Sequence, residues 1–247
     1  MGDTLNVVYR GLSVLAIAPV LDEEVKIRQV VRRTPRPLVD EILVVDDGST
    51  DKSAEVAREE GARVHSMGRV AGVGAAIRAG FEQALAGRFD VVVVMAGNNK
   101  DSPEEIPLLL DPMVDRGADF VQGSRFLKPD RDFGPMPAYR QLATRLHPLL
   151  FSVVSGKRVS ESTNGFRAVR REVLEDPRIR LDQAWLDGYE LEPYLYIKAI
   201  RLGYRTHEVP VTKVYPPKSQ GQTKMKPVTG WWSMLRPLVY LGLGIRK

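Results

Sequence analysis

The chain of 247 residues has no cysteine, only three histidines and no apolar run that reads as a transmembrane span. Without cysteine there are neither disulfides nor thiolate metal ligands, which fits a reducing compartment. His65, His147 and His207 have no ligand spacing to one another, so a zinc site is not supported, and His147 and His207 read as packing residues. No aromatic-basic RNA-binding pattern and no zinc-finger spacing occurs, so nucleic acid is not an expected partner. Neither a dinucleotide fingerprint nor a P-loop is completed anywhere, and Gly72-x-Gly74 alone carries no nucleotide reading. The first residues lack a charged-then-apolar signal pattern, and Asn6 stands where myristoylation needs Ser or Thr. The expected location is cytoplasmic, with peripheral contact at the inner face of the membrane.

Hydrophobic content of 43% and charged content of 27% are ordinary for a soluble globular protein. A net charge of +5, with the excess late in the chain, suits phosphate-bearing ligands or an anionic membrane surface. The length fits one large domain with an appendage: a domain over 1–226 and an apolar, basic tail over 227–247.

Asp90-Val-Val-Val-Val-Met-Ala-Gly-Asn-Asn-Lys-Asp101 organises the rest. Four consecutive valines and a methionine without polar alternation read as a strand buried on both faces, as in a parallel sheet covered by helices. Ser102-Pro-Glu-Glu105 then has the form of a capping box opening a helix. Strands at 12–18, 41–45, 62–65, 119–122 and 207–212 alternate with helices that run from after Glu24 to Pro35, through Val56 and Ala57, over 75–85, 104–114 and 140–154, and from after Glu192 to Gly203. That alternation predicts an α/β fold with a mostly parallel sheet. Ser49 or Thr50 is placed to cap the second helix. Residues 126–170 interrupt the pattern with prolines and the turn-rich Ser160–Gly165. Open α/β sheets bind ligands beyond the carboxyl ends of their strands. Asp46, Asp47, Asn98, Lys100 and Asp101 sit there as candidate ligands of ribose, base or phosphate.

Several motifs occur in one order: Pro19-Val-Leu-Asp-Glu-Glu24, Val44-Val-Asp-Asp-Gly-Ser-Thr-Asp51, Gly72-Val-Gly-Ala-Ala76, Gly123-Ser-Arg125, Asn164-Gly-Phe-Arg167 and Gly203–Val211. Together they resemble the family 2 glycosyltransferases, in particular the dolichyl- or polyprenyl-phosphate mannosyl- and glucosyltransferase branch, over about residues 12–226. The resemblance implies a GT-A fold, a UDP- or GDP-sugar donor and inverting transfer to a lipid phosphate. It assigns Pro19, Glu23, Asp46, Asp47 and Gly72 to the donor and Arg125 to the acceptor phosphate, assisted by Arg140 and Thr144. It assigns Lys218, Thr223 and Lys224 to a basic loop over the donor's phosphates.

The resemblance also implies Mg²⁺ or Mn²⁺ in an Asp-x-Asp motif with a following Gln. Ala96, Asn98 and Lys100 stand at those positions, so both carboxylates are gone and no metal ligand is assigned. Lys100 is expected to supply part of the missing positive charge. Transfer to a hydroxyl acceptor, with Asp187, Glu190 or Glu192 as base, is one alternative, and a non-catalytic nucleotide-sugar binder is another. Trp231, Trp232, Leu235, Leu238 and Leu241 make the tail either a membrane-interface segment or a packing element, on the core or in a homo-oligomer.

Overall fold

The computed structural model describes residues 9–128, 136, 138–215, 225 and 227–246. In chain order the elements are β1 (Val14–Val20), α1 (Glu24–Arg33), β2 (Glu41–Asp46), α2 (Ser53–Glu59), β3 (Arg63–Ser66), α3 (Val73–Ala86), β4 (Val91–Val94) and α4 (Ile106–Asp115). They continue with β5 (Phe120–Ser124), α5 (Ala138–Ser155), β6 (Arg167–Arg170), α6 (Arg171–Glu175), α7 (Leu191–Arg201), β7 (Thr206–Pro210) and α8 (Pro227–Gly242). The strands form one seven-stranded sheet in the order β3-β2-β1-β4-β6-β5-β7.

The central strands show no apolar-polar alternation because both of their faces are covered. Leu15, Ile17, Leu43, Val45, Val92 and Val94 point into a core shared with α3 and α7. Val14, Ala16, Val44, Val91 and Val93 point into a second core shared with α1, α2 and α4. Full burial of each such valine contributes roughly 1.5–3 kcal/mol over leaving it exposed. Part of the tail packs on the core: Met234, Leu238 and Leu241 of α8 are buried, and α8 lies against α5 and α7, while Trp232 and Leu243 are exposed.

Strand β6 was not expected. Arg167-Ala-Val-Arg170 is short and bounded by charge, which gives it little strand signal. It runs antiparallel to both β4 and β5, which lie on either side of it, while every other pairing is parallel. Because β6 is reversed, Arg167 at its start pairs with Val94 at the end of β4. The loop before it, 160–166, therefore reaches the same sheet edge as the carboxyl ends of the other strands.

Two expected caps are corrected. Ser102 makes no side-chain cap; Pro103–Glu105 is a 3-10 turn ahead of α4. The Glu105 carboxylate instead accepts from the Thr212 N–H at 2.6 Å and from Lys128 at 2.7 Å, tying the helix entry to the exit of β7. At α2, Ser49 and Thr50 do not cap. Ser49 Oγ accepts from the Asp22 N–H at 3.0 Å, and Asp51 accepts from the Ser53 N–H at 2.9 Å.

The start of α3 crosses the 184–188 turn at backbone contact. A Cβ on Gly74 would lie 2.0 Å from the Leu186 carbonyl oxygen, so only glycine fits. Gly74→Ala is expected to destabilise the fold by about 3 kcal/mol, at the upper end for an overpacked site, and a thermal melt checks it. An unchanged melting temperature would mean that the two segments can part freely.

Candidate active site

The carboxyl edge of the sheet opens into a cavity of about 420 Å³. Most of its walls come from strand exits. Pro19, Val20, Leu21 and Glu23 follow β1, Asp47 follows β2, and Ala96 to Lys100 follow β4. Arg125 follows β5, Lys213 and Tyr215 follow β7, and Thr163 and Gly165 come from the loop ahead of the reversed β6. Arg140 and Thr144 of α5 and Trp231 and Met234 of α8 close the side.

Of the residues expected at the site, Pro19, Glu23, Asp47, Gly72, Asn98, Lys100, Arg125, Arg140 and Thr144 line this cavity together. Asp46 and Asp101 lie behind the wall, both buried. Asp46 accepts from the Ser49 N–H at 2.9 Å and from Ser66 Oγ at 3.0 Å, which shapes the turn after β2. Lys218, Thr223 and Lys224 lie outside the described residues.

Asp47 holds the start of α3, accepting from the Ala71 N–H at 2.7 Å and the Gly72 N–H at 3.0 Å. Both amides precede a helix whose positive end favours the carboxylate. Asp101 divides its oxygens: one accepts from the Ala96 N–H at 2.8 Å, the other from Lys213 Nζ at 2.6 Å. Arg125 is only 6% exposed. Its Nε donates to Glu161 at 2.6 Å, and its terminal nitrogens donate to Thr163 Oγ1 at 3.1 Å and to the Tyr215 hydroxyl. Glu161 has no exposure and also accepts from the Ser162 and Thr163 amides. Such a buried ion pair survives because its remaining lone pairs are satisfied.

Among the described residues five cations line the cavity: Lys26, Lys100, Arg125, Arg140 and Lys213. Lys26 pairs with Glu23 at 2.6 Å, three residues away on the first turn of α1. Burial pushes the Lys100 ammonium down from 10.5 to about 8, and the charges of Lys213, Arg140 and Lys26 push the same way. Lys100 Nζ also stands over the Tyr215 ring, 5.8 Å from its centroid. Sequence reasoning missed Lys26, Lys213, Tyr189 and Tyr215. Only Lys26 left a signal, its spacing from Glu23; Lys213 follows a strand and belongs to no motif. His147 is a packing residue as expected: burial pushes its imidazole below the ordinary value, and its nitrogens meet Ser162 Oγ at 2.7 Å and the Met234 carbonyl at 3.1 Å.

The residues present do not fit a divalent ion. Hard cations need several oxygen ligands, carboxylates foremost. Among the described residues no group of three acidic or histidine side chains is placed to hold one. Asn98 Oδ1, buried and without a hydrogen-bond partner among the described residues, is a lone neutral oxygen. Asp47 and Asp101 are already engaged, and Lys100 and Lys213 in the same cavity would repel a dication.

A family model described as "Glycosyl transferase family 2" matches residues 16–177. The chain is 36% identical over 219 residues to the polyprenol monophosphomannose synthase of Mycolicibacterium smegmatis, covering 85% of this chain and 80% of the other. It is 33% identical over 190 residues to the undecaprenyl-phosphate mannosyltransferase of Micrococcus luteus, covering 75% of each. The crystal structure of glucosyl-3-phosphoglycerate synthase from Mycobacterium tuberculosis with phosphoglyceric acid superposes with a TM-score of 0.69, over 97% of this chain and 81% of that one. At 24% identity that likeness concerns the fold.

The depressed Lys100 makes a two-sided expectation. Its folded value near 8 lies below the ordinary 10.5, so burial of the ammonium opposes folding at pH 7. Stability regains this contribution as pH rises from about 8 towards 10.5. Lys100→Met should therefore raise the melting temperature of the ligand-free protein at pH 7 and flatten its rise above pH 8. The same variant should lose much of the stabilisation that a nucleoside diphosphate gives. Thermal melts across pH, with and without the nucleotide, check both; an unchanged profile would separate Lys100 from the cavity's electrostatics.

Proposed function

The chain belongs to glycosyl transferase family 2, and from that we propose that it moves a sugar from a nucleotide-sugar donor onto the phosphate of a polyprenyl lipid. The observation that carries this reading is the set of five cations lining one cavity at the carboxyl edge of the sheet. A donor diphosphate and an acceptor phosphate both need such an environment. The names of the relatives from M. smegmatis and M. luteus support the polyprenyl acceptor.

In this reading an acceptor phosphate oxygen attacks the anomeric carbon opposite its bond to the nucleoside diphosphate. The new C–O bond forms as the old one breaks, and the diphosphate leaves with the electron pair. An ionised phosphate needs no general base, so positioning and charge stabilisation carry the catalysis. Arg125 and Arg140 are the acceptor-side cations. Glu23, Asp47 and Asn98 are donor contacts, with Pro19 and Gly72 shaping the wall and Thr144 beside Arg140. Asn98 Oδ1, without a hydrogen-bond partner among the described residues, suits a sugar hydroxyl.

A hydroxyl acceptor is disfavoured because each of the three candidate bases is engaged by an arginine. Glu192 lines the cavity but is paired with Arg167 at 3.0 Å. Asp187 is paired with Arg78 at 2.6 Å, and the buried Glu190 with Arg236. Incubation with UDP- and GDP-sugars and either polyprenyl phosphate or the matching polyprenol tests the reading. Transfer is expected to the phosphate alone; equal transfer to the alcohol would overturn it.

Among the described residues no helix is long and apolar enough to cross a membrane. The side of α5 facing away from the core exposes Leu142, Leu146, Leu149, Leu150 and Val153, the last at 82%. Arg140 and Thr144, on the same helix, line the cavity. This apolar stripe fits a helix lying in the membrane surface, with the lipid phosphate reaching Arg140 from that side. We assign peripheral membrane contact to this stripe rather than to α8, whose Leu238 and Leu241 are buried. Replacing Leu149 and Val153 by Ser should weaken flotation with anionic liposomes at unchanged melting temperature. If the intact protein ignores liposomes at low salt, the stripe has another role.

Arg140→Ala is expected to cost about 3 kcal/mol of transition-state stabilisation, on the order of 100-fold in turnover. Its melting temperature and nucleotide affinity should hold. Arg125→Ala should lose transfer and also lower the melting temperature, because Glu161 is left buried without its partner at a cost of about 3–5 kcal/mol. Steady-state assays with parallel melts distinguish the two arginines; loss of donor binding in Arg140→Ala would move that residue to the donor side.

A further inference from the structure

We propose that Lys213 is a donor-binding residue that stands in for a divalent ion, so that the diphosphate of the nucleotide-sugar is neutralised by protein ammonium groups. This rests on the donor reading above and goes further, because it assigns the counter-charge to a residue outside every motif.

Lys213 Nζ lies 2.6 Å from Asp101 Oδ1 and 2.8 Å from Asn164 Oδ1. An ammonium has three N–H donors, and the third has no partner among the described residues. The side chain is 11% exposed and lines the cavity, so what remains open to it is the ligand space. Its backbone is fixed as well. Asp101 and Lys213 form an isolated antiparallel bridge, and the Val214 N–H donates to the Lys100 carbonyl at 2.8 Å. The loop carrying Lys100 and the segment carrying Lys213 are thus paired, and the Lys213 ammonium is preorganised by its two acceptors. Asp101 is the one carboxylate in the loop after β4, and a lysine occupies the oxygen a metal would need. A dication there would have to displace Lys213 first. Mere support of the loop would not require an ammonium aligned with a cavity already holding four other cations.

The test is isothermal titration of UDP and GDP in chelator and in Mn²⁺, with Lys213→Met, Lys213→Ala and Lys213→Arg beside the native protein. The native protein should bind one nucleoside diphosphate equally in both buffers. Lys213→Met should bind it at least tenfold more weakly in chelator, with nucleoside monophosphate affected less, and Lys213→Arg should retain most of the affinity. In Lys213→Ala, which frees Asp101, Mn²⁺ should restore part of the loss. Native binding that collapses in chelator overturns the proposal while leaving the donor reading intact. So does a Lys213→Met loss that follows a fall in melting temperature and ignores Mn²⁺, which would mark a strut. Absence of binding to either diphosphate in both buffers sinks the donor reading, and this proposal with it.

Discussion

The site hangs on the carboxylate of Asp101. One oxygen closes the loop after β4 on the Ala96 amide, and the other reaches across to Lys213 beyond β7. Those two strands are separated in the sheet by β6 and β5, so no ladder hydrogen bond joins them. The bridge between Asp101 and Lys213 joins their exits instead. It sets the distance across the crevice and fixes where Lys100, Tyr215 and Asn164 stand relative to one another. The reversed β6 makes this possible, because its preceding loop reaches the same edge and supplies Asn164 as the second acceptor for Lys213.

Buried positive charge is costly unless paired, and the cavity handles that cost unevenly. Arg125 is neutralised by Glu161 and Lys26 by Glu23, both at 2.6 Å. Lys213 has Asp101. Among the described residues Lys100 makes no ion pair and faces the Tyr215 ring, and burial together with the charges of Lys213, Arg140 and Lys26 lowers its proton affinity. The ligand-free site is therefore short of negative charge at one point. An entering phosphate group supplies it, so binding energy comes from relieving an existing penalty rather than only from new contacts.

Much of this was legible in the chain. Four valines in a row needed cover on both faces, and the β4 strand has it. The residues named after each strand converge because a parallel sheet brings its carboxyl ends to one edge. What was not legible depended on partners distant in sequence. Glu105 looked like a local cap but serves Thr212, more than a hundred residues away. Arg167-Ala-Val-Arg170 had no strand signal of its own, and its first arginine is met by Glu192, 25 residues on. Asp46 and Asp47 read alike as neighbouring acids in one loop, but Asp46 is bound within the turn and only Asp47 of the two lines the cavity. Lys213 was invisible because its meaning comes wholly from Asp101.

Loss of the metal acids and presence of the two lysines are best read as one change. An Asp-x-Asp pair with a dication is locally neutral before the donor arrives. Removing the acids alone would leave no means of holding a metal and nothing to meet the diphosphate. A single lysine at position 100 meets it in part, yet a lone ammonium on a loop would be poorly placed. Lys213 supplies the second charge and, through Asp101, the rigidity that metal coordination would otherwise impose on the loop. Four of the five cations then fall into two sets by origin, with Lys26 apart on α1: Lys100 and Lys213 on the exits of β4 and β7, Arg125 and Arg140 on the exit of β5 and on α5. Two phosphate-bearing substrates must meet in this reaction without exchanging places. Mounting their counter-charges on separate elements lets one be held while the other leaves.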